Sequence, residues 1–182
     1  MMRFESRTFA AVMLALSLLP AAAADQEECL KLVFDRFCLG GDFRAQLSRA
    51  PQPLHQQRQG DSEAAIYFEG RERIFVMAYR GRIYKVVRQY RPSTRNRFDE
   101  LLGLLSDVYG PARDLSEYPH YAESRGARIA AIRRGDGRAV SSWNPGPGWN
   151  VELSWTRELG LALTYVVPRW EAERREAVEQ RL

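Results

Sequence analysis

Cys29 and Cys38 are the first residues whose chemistry could matter. A catalytic thiol needs a base beside it, and neither histidine of the chain lies near either cysteine in sequence. In an oxidising compartment two thiols bridge instead. The segment between them resists that bridge. Leu30, Val33, Phe34 and Phe37 recur at helical spacing, which predicts a helix over Glu28 to Phe37. A helix would carry the two Cα atoms about 13.5 Å apart, and a disulfide needs them within about 7 Å. A Cys29–Cys38 disulfide is expected, with the helix shortened or its ends looped.

The other chemical residue types are dispersed. His55 and His120 are single loop histidines, without a second histidine at metal-ligand spacing, so no metal is implied. The sequence holds no HExxH, no GxSxG and no phosphate-binding glycine loop, and it implies no cofactor. Asp99-Glu100 and Glu171 with Glu173 lie beside arginines, as carboxylates on a solvated helix face do. A pair of acids meeting in space could still hydrolyse glycans, which leaves an envelope enzyme as an alternative.

The most distinctive pattern is basic. Arg80, Arg82, Lys85, Arg88, Arg91, Arg95 and Arg97 follow one another with no acid between Glu72 and Asp99. Tyr79, Tyr84 and Tyr90 are interleaved. Lys31 and Lys85 are the only lysines; every other basic residue is arginine, the type that forks carboxylates and stacks on rings. The candidate binding residues are therefore Arg80, Arg82, Tyr84, Lys85, Arg88 and Tyr90. The competing reading is a hairpin whose solvent face carries arginines. Trp143, Trp149 and Trp155 surround the Asn144–Gly148 turn. Trp149 and Trp155 share the apolar parity of a strand, so Trp143 is the tryptophan expected to be exposed for a contact.

These residues need elements to hold them. Asp42 caps a short helix through Ala50, and residues 51 to 63 read as a polar surface connection. Three strands follow at Ala64–Glu69, Glu72–Tyr79 and Arg82–Tyr90, with a tight turn at Arg80-Gly81. A helix starts at Ser93 or Thr94, runs on Phe98, Leu101, Leu102, Leu105 and Val108, and stops at Gly110-Pro111. Arg128–Arg134 and Arg138–Trp143 read as a hairpin about Gly135-Asp136-Gly137. Trp149–Thr156 and Leu161–Val167 alternate cleanly, and Pro168 opens a charged closing helix. Hairpins without strand–helix crossovers predict one α+β domain over residues 25–182. It would hold an antiparallel sheet of about six or seven strands with helices on one face.

Residues 1–24 have the plan of a secretory signal peptide. Arg3 and Arg7 precede an apolar run from Ala10 to Leu19, and Ala22-Ala23-Ala24 offers a cleavage site. The run is too short to span a bilayer, which takes about 20 residues. The whole chain of 182 residues is 45% apolar and 27% charged, at net +4. That is a globular composition, and the expected address is periplasmic or secreted. Export argues against nucleic acid as a partner. An acidic protein surface or another anionic envelope component fits the basic run better. The leading expectation is a non-catalytic protein-binding, adaptor or inhibitor-like module. A carrier for an anionic ligand or lipid is a further alternative.

Overall fold

The computed structural model describes residues 29–180. The segment read as a signal peptide lies outside them. The element order is β1 (Lys31–Val33), β2 (Phe37–Leu39), α1 (Phe43–Arg49), β3 (His55–Gln59), β4 (Ser62–Glu69), β5 (Glu72–Tyr79) and β6 (Arg82–Tyr90), then α2 (Arg95–Tyr109), β7 (Arg113–Asp114), α3 (Arg125–Arg134), β8 (Ala139–Gly146), β9 (Trp149–Thr156), β10 (Gly160–Val166) and α4 (Pro168–Glu179). The class is α+β. Eight strands form one antiparallel sheet in the order β3-β4-β5-β6-β10-β9-β8-β7, and β1 and β2 form a separate two-stranded ribbon. The sheet is thus two meanders. They join where β10 returns to lie beside β6, with Leu163 opposite Arg88 and Tyr165 opposite Val86.

Strand alternation separates the two faces of this sheet. One face presents Ile74, Val76, Val86, Leu161, Leu163, Val151, Leu153 and Trp155, all buried in one apolar cluster. α2 closes over it, because Phe98, Leu101 and Leu105 share one helical stripe. Thr94 caps this helix by accepting from the Arg97 N–H, and the Phe98 ring lies 6.3 Å from Trp155. At the far end Gly110 has φ 85°, which favours glycine where the chain leaves the helix. α4 sits on the other face, where Glu171 reaches Lys85 Nζ at 2.6 Å. Pro168 occupies its first turn, as expected.

Four sequence expectations are corrected. The segment at Glu28–Phe37 is no helix. β1 and β2 pair as a hairpin, Lys31 opposite Leu39, and Cys29 and Cys38 are bridged with Cα atoms 5.4 Å apart. The same spacing of Leu30, Val33, Phe34 and Phe37 serves a hairpin because the chain turns at Phe34-Asp35, both with positive φ. A bulky residue in that region costs about 1–2 kcal/mol. The Phe34 ring offsets this by packing edge-on against Tyr165 at 5.6 Å and under the Arg88 guanidinium at 4.5 Å.

Residues 55–59 of the supposed surface connection are instead the edge strand β3, exposed at all five positions. Arg128–Arg134 belongs to α3, capped by Ser124 and ended by Gly135 in the left-handed conformation. Gly135-Asp136-Gly137 is therefore a helix end rather than a hairpin turn. Trp143 is not exposed. It is 3% accessible, and its indole N–H donates to the Gly110 carbonyl at 2.9 Å, tying β8 to the end of α2.

Candidate functional site

The basic run does not form one patch, because β6 sends successive cations to different neighbours. Arg88 points into the buried face, where Glu69 and Glu72 from the β4–β5 hairpin both pair with it, Glu72 at 3.2 Å. Arg36, from the β1–β2 turn, reaches the same Glu69 at 2.7 Å. Tyr90 is buried two residues further on, and burial raises its hydroxyl pKa above the usual tyrosine value. Arg97 covers its ring at 5.2 Å.

Lys85 faces the opposite side and is held by Glu171 of α4. Tyr84 is also buried. Its hydroxyl donates to the Met77 sulfur at 3.9 Å, and Arg174 of α4 covers its ring at 5.9 Å. Burial raises the Tyr84 hydroxyl too. Arg80 stacks on Tyr79 at 5.0 Å in the turn.

Arg82 is the exception. It is exposed at the start of β6, and its Nη1 donates to the Gly40 carbonyl at 3.2 Å. Asp42, the N-cap of α1, is bridged to Arg82 through the backbone. A cleft of about 560 Å3 opens beside it, lined by Leu30, Arg82, Gly148, Val167, Arg169 and Trp170. Three distant stretches meet there: the approach to β1, the β8–β9 turn, and the first turn of α4.

Local chemistry explains why this cleft stays cationic. Arg169 is exposed, and its contact to Glu173 is long, 3.7 Å, in an i, i+4 pair. Such exposed pairs contribute only about 0.3–0.5 kcal/mol. Glu171 is the acid of the first turn of α4, and Lys85 holds it. Val167 gives no side-chain cap, so the positive end of the α4 dipole adds to the two guanidinium groups. Arg169 lies 5.6 Å from the Trp170 ring, which is half-buried in the wall. Arg169, Trp170 and Leu30 were absent from the sequence-based candidates. The charged closing helix was the only signal for the first two.

Two other clefts differ in character. One, of about 480 Å3, runs between β3–β5 and the second half of α4, over Ala64, Met77, Tyr84 and Val178. Of its acids, Asp61 and Glu63, Glu63 meets Arg44 at 3.5 Å and Arg58 at 3.9 Å. The other, of about 290 Å3, lies beside the disulfide.

The carboxylate with a resolved upward shift is Glu152, on β9. Burial raises its pKa, Lys85 and Arg138 lower it, and Glu171 raises it further. Its register partners are Thr164 and Ser142. His55 and His120 are exposed and far apart in the element order. Among the described residues no three metal-ligating side chains cluster. No helix among them is long and apolar enough to cross a membrane.

No protein-family model matches the chain, and no curated protein matches it. One solved structure with a partial likeness is described as a cysteine-rich secretory protein from Staphylococcus aureus. It is 8% identical at a TM-score of 0.37, over 69% of this chain and 43% of that one. The chain spans less than half of that protein, and a likeness at this level carries no functional argument.

Proposed function

We propose that this chain is an exported, non-catalytic protein-binding module whose contact surface is the cleft of Arg82, Arg169 and Trp170. The observation that carries the reading is the composition of that cleft. Two arginines and a tryptophan converge on an apolar floor of Leu30 and Val167. Tryptophan and arginine are the residue types that dominate binding energy at protein interfaces. The address is supported by the Cys29–Cys38 disulfide, since bridges persist in oxidising compartments, and by the signal-peptide plan of residues 1–24. Within the wider basic run Arg88 and Lys85 are paired with the molecule's own acids, so the reading centres on Arg82.

The test is site-specific photo-crosslinking in the native cell. A photo-reactive amino acid at position 169 is expected to give a discrete adduct that the same label at exposed Arg133 does not. Equal adducts at both positions, or none at 169, overturn the reading. The mass of the purified protein checks export, with the chain expected to begin at Asp25.

A second reading, an envelope enzyme acting on glycans, is favoured by one observation. Glu152 is half-buried on β9, where burial raises its pKa, and a second carboxylate, Glu171, is among its charged neighbours with Lys85. Turnover of a cell-wall glycan that disappears in Glu152→Gln would favour it; identical turnover in that variant would reject it.

A further inference from the structure

Resting on the protein-binding reading, the geometry points to an acidic segment of a partner polypeptide as the occupant of the Arg82 cleft, with an apolar side chain beside its carboxylate. Charge and shape are the grounds. Arg82 comes from the start of β6 and Arg169 from α4, so two arginines from separate elements line one cleft. The acidic neighbours of Arg169 leave it available to an anion. Glu171 is taken by Lys85, and Glu173 touches Arg169 only at 3.7 Å on the solvent side. Lys31 stands nearby, 5.6 Å from the ring of Trp149, which opens β9 just after the Gly148 turn.

A purely ionic surface would not also need a hydrophobic floor. Leu30, Val167 and the half-buried Trp170 supply one. Arginine forks a carboxylate bidentately, while Trp170 and Leu30 give an adjacent aliphatic or aromatic group a place to bury. A volume of about 560 Å3 lies within the range of built small-ligand sites, about 300–1,000 Å3, and suits a few side chains rather than a folded surface. An anionic polysaccharide would satisfy the arginines but would leave the floor largely unused.

Fluorescence anisotropy tests this with the mature, oxidised protein and a labelled peptide, Gly-Glu-Phe-Glu-Gly. The comparison ligands are its amide counterpart, Gly-Gln-Phe-Gln-Gly, and polygalacturonate as competitor. The acidic peptide is expected to bind at least ten-fold more tightly than the amide, and to weaken as salt rises. Arg82→Ala with Arg169→Ala should cost at least ten-fold, and Trp170→Ala about five-fold. Arg133→Ala should change nothing.

Equal binding of acid and amide peptides overturns the proposal. So does a double variant that binds as wild type, or polygalacturonate that competes with Trp170→Ala unaffected. Circular dichroism of each variant separates lost binding from lost folding. If the position-169 crosslink survives while the acidic peptide fails, the protein-binding reading stands and only the acidic occupant is wrong.

Discussion

At one end of β6, Arg88 is folded into the molecule: two carboxylates from the next hairpin pair with it and the Phe34 ring lies against its guanidinium. At the other end, Arg82 is exposed, donates to a single carbonyl, and lines a cleft with a second arginine. Lys85 stands between them, one side chain held by one acid. The three cations share a strand and a charge, so their roles are set by what the neighbouring elements bring to them. Glu69 and Glu72 flank the β4–β5 turn and therefore meet Arg88. The β5–β6 turn at Arg80-Gly81 carries no acid of its own, and Asp42 meets Arg82 through a backbone bridge.

Arg88→Ala should break this comparison most visibly. It leaves Glu72 without this cation and Glu69 with Arg36 alone, removes the guanidinium packed on Phe34, and should lower stability by about 3 kcal/mol in urea unfolding. A loss below about 1 kcal/mol would make Arg88 as dispensable as Arg82. Opening the disulfide with Cys29→Ser and Cys38→Ser comes next, at about 2–3 kcal/mol by thermal unfolding. The bridge ties the hairpin that delivers Phe34 to Arg88. The double-serine and Arg88→Ala changes should therefore combine less than additively.

Lys85→Met removes one hydrogen-bonded ion pair, each partner about a quarter exposed, and should cost about 1 kcal/mol. A smaller effect belongs to Glu152→Gln. The folded state holds Glu152 above the ordinary carboxylate range, so it ionises later there than in the unfolded chain. Its contribution is neutral below the unfolded value and becomes unfavourable as pH rises toward the folded one. Glu152→Gln should then stabilise the protein at pH 7 and lose that advantage near pH 3, by urea midpoints at both values. Arg82→Ala sits at the bottom of the scale, within about 0.5 kcal/mol of wild type.

Much of the fold was legible because burial and periodicity agreed. β4, β5 and β9 bury alternate residues over much of their length, β6 and β10 are mostly buried, and α2 has its stripe, its Thr94 cap and its Gly110 exit. Legibility failed where those signals parted. β3 buries neither face, so His55–Gln59 has no alternation to read. In α3, Ile129 and Ile132 are three apart and Ser124 precedes them. The apolar density of Arg128–Arg134 is equally compatible with a strand, and the Ser124 cap is the local feature that marks a helix.

The hairpin of β1 and β2 carried helical spacing by coincidence of its three-residue turn, Phe34–Arg36. The covalent constraint between Cys29 and Cys38 resolved it in favour of the bridge. For the site, Arg82 was legible as a strand-end arginine. Arg169, Trp170 and Leu30 were not, since only the return of β10 to β6 brings the start of α4 beside the approach to β1. Trp143 looked exposed from its place beside the turn. Its buried bond to Gly110 depends on where α2 ends, which no local pattern in β8 records.

The most direct test of the contrast along β6 is a single paired measurement on Arg82→Ala: affinity for the labelled Gly-Glu-Phe-Glu-Gly peptide and the urea midpoint, on the same preparation. The cleft account predicts clearly weakened binding with an unchanged midpoint. Unchanged affinity, or a midpoint that falls as far as it does in Arg88→Ala, would contradict it.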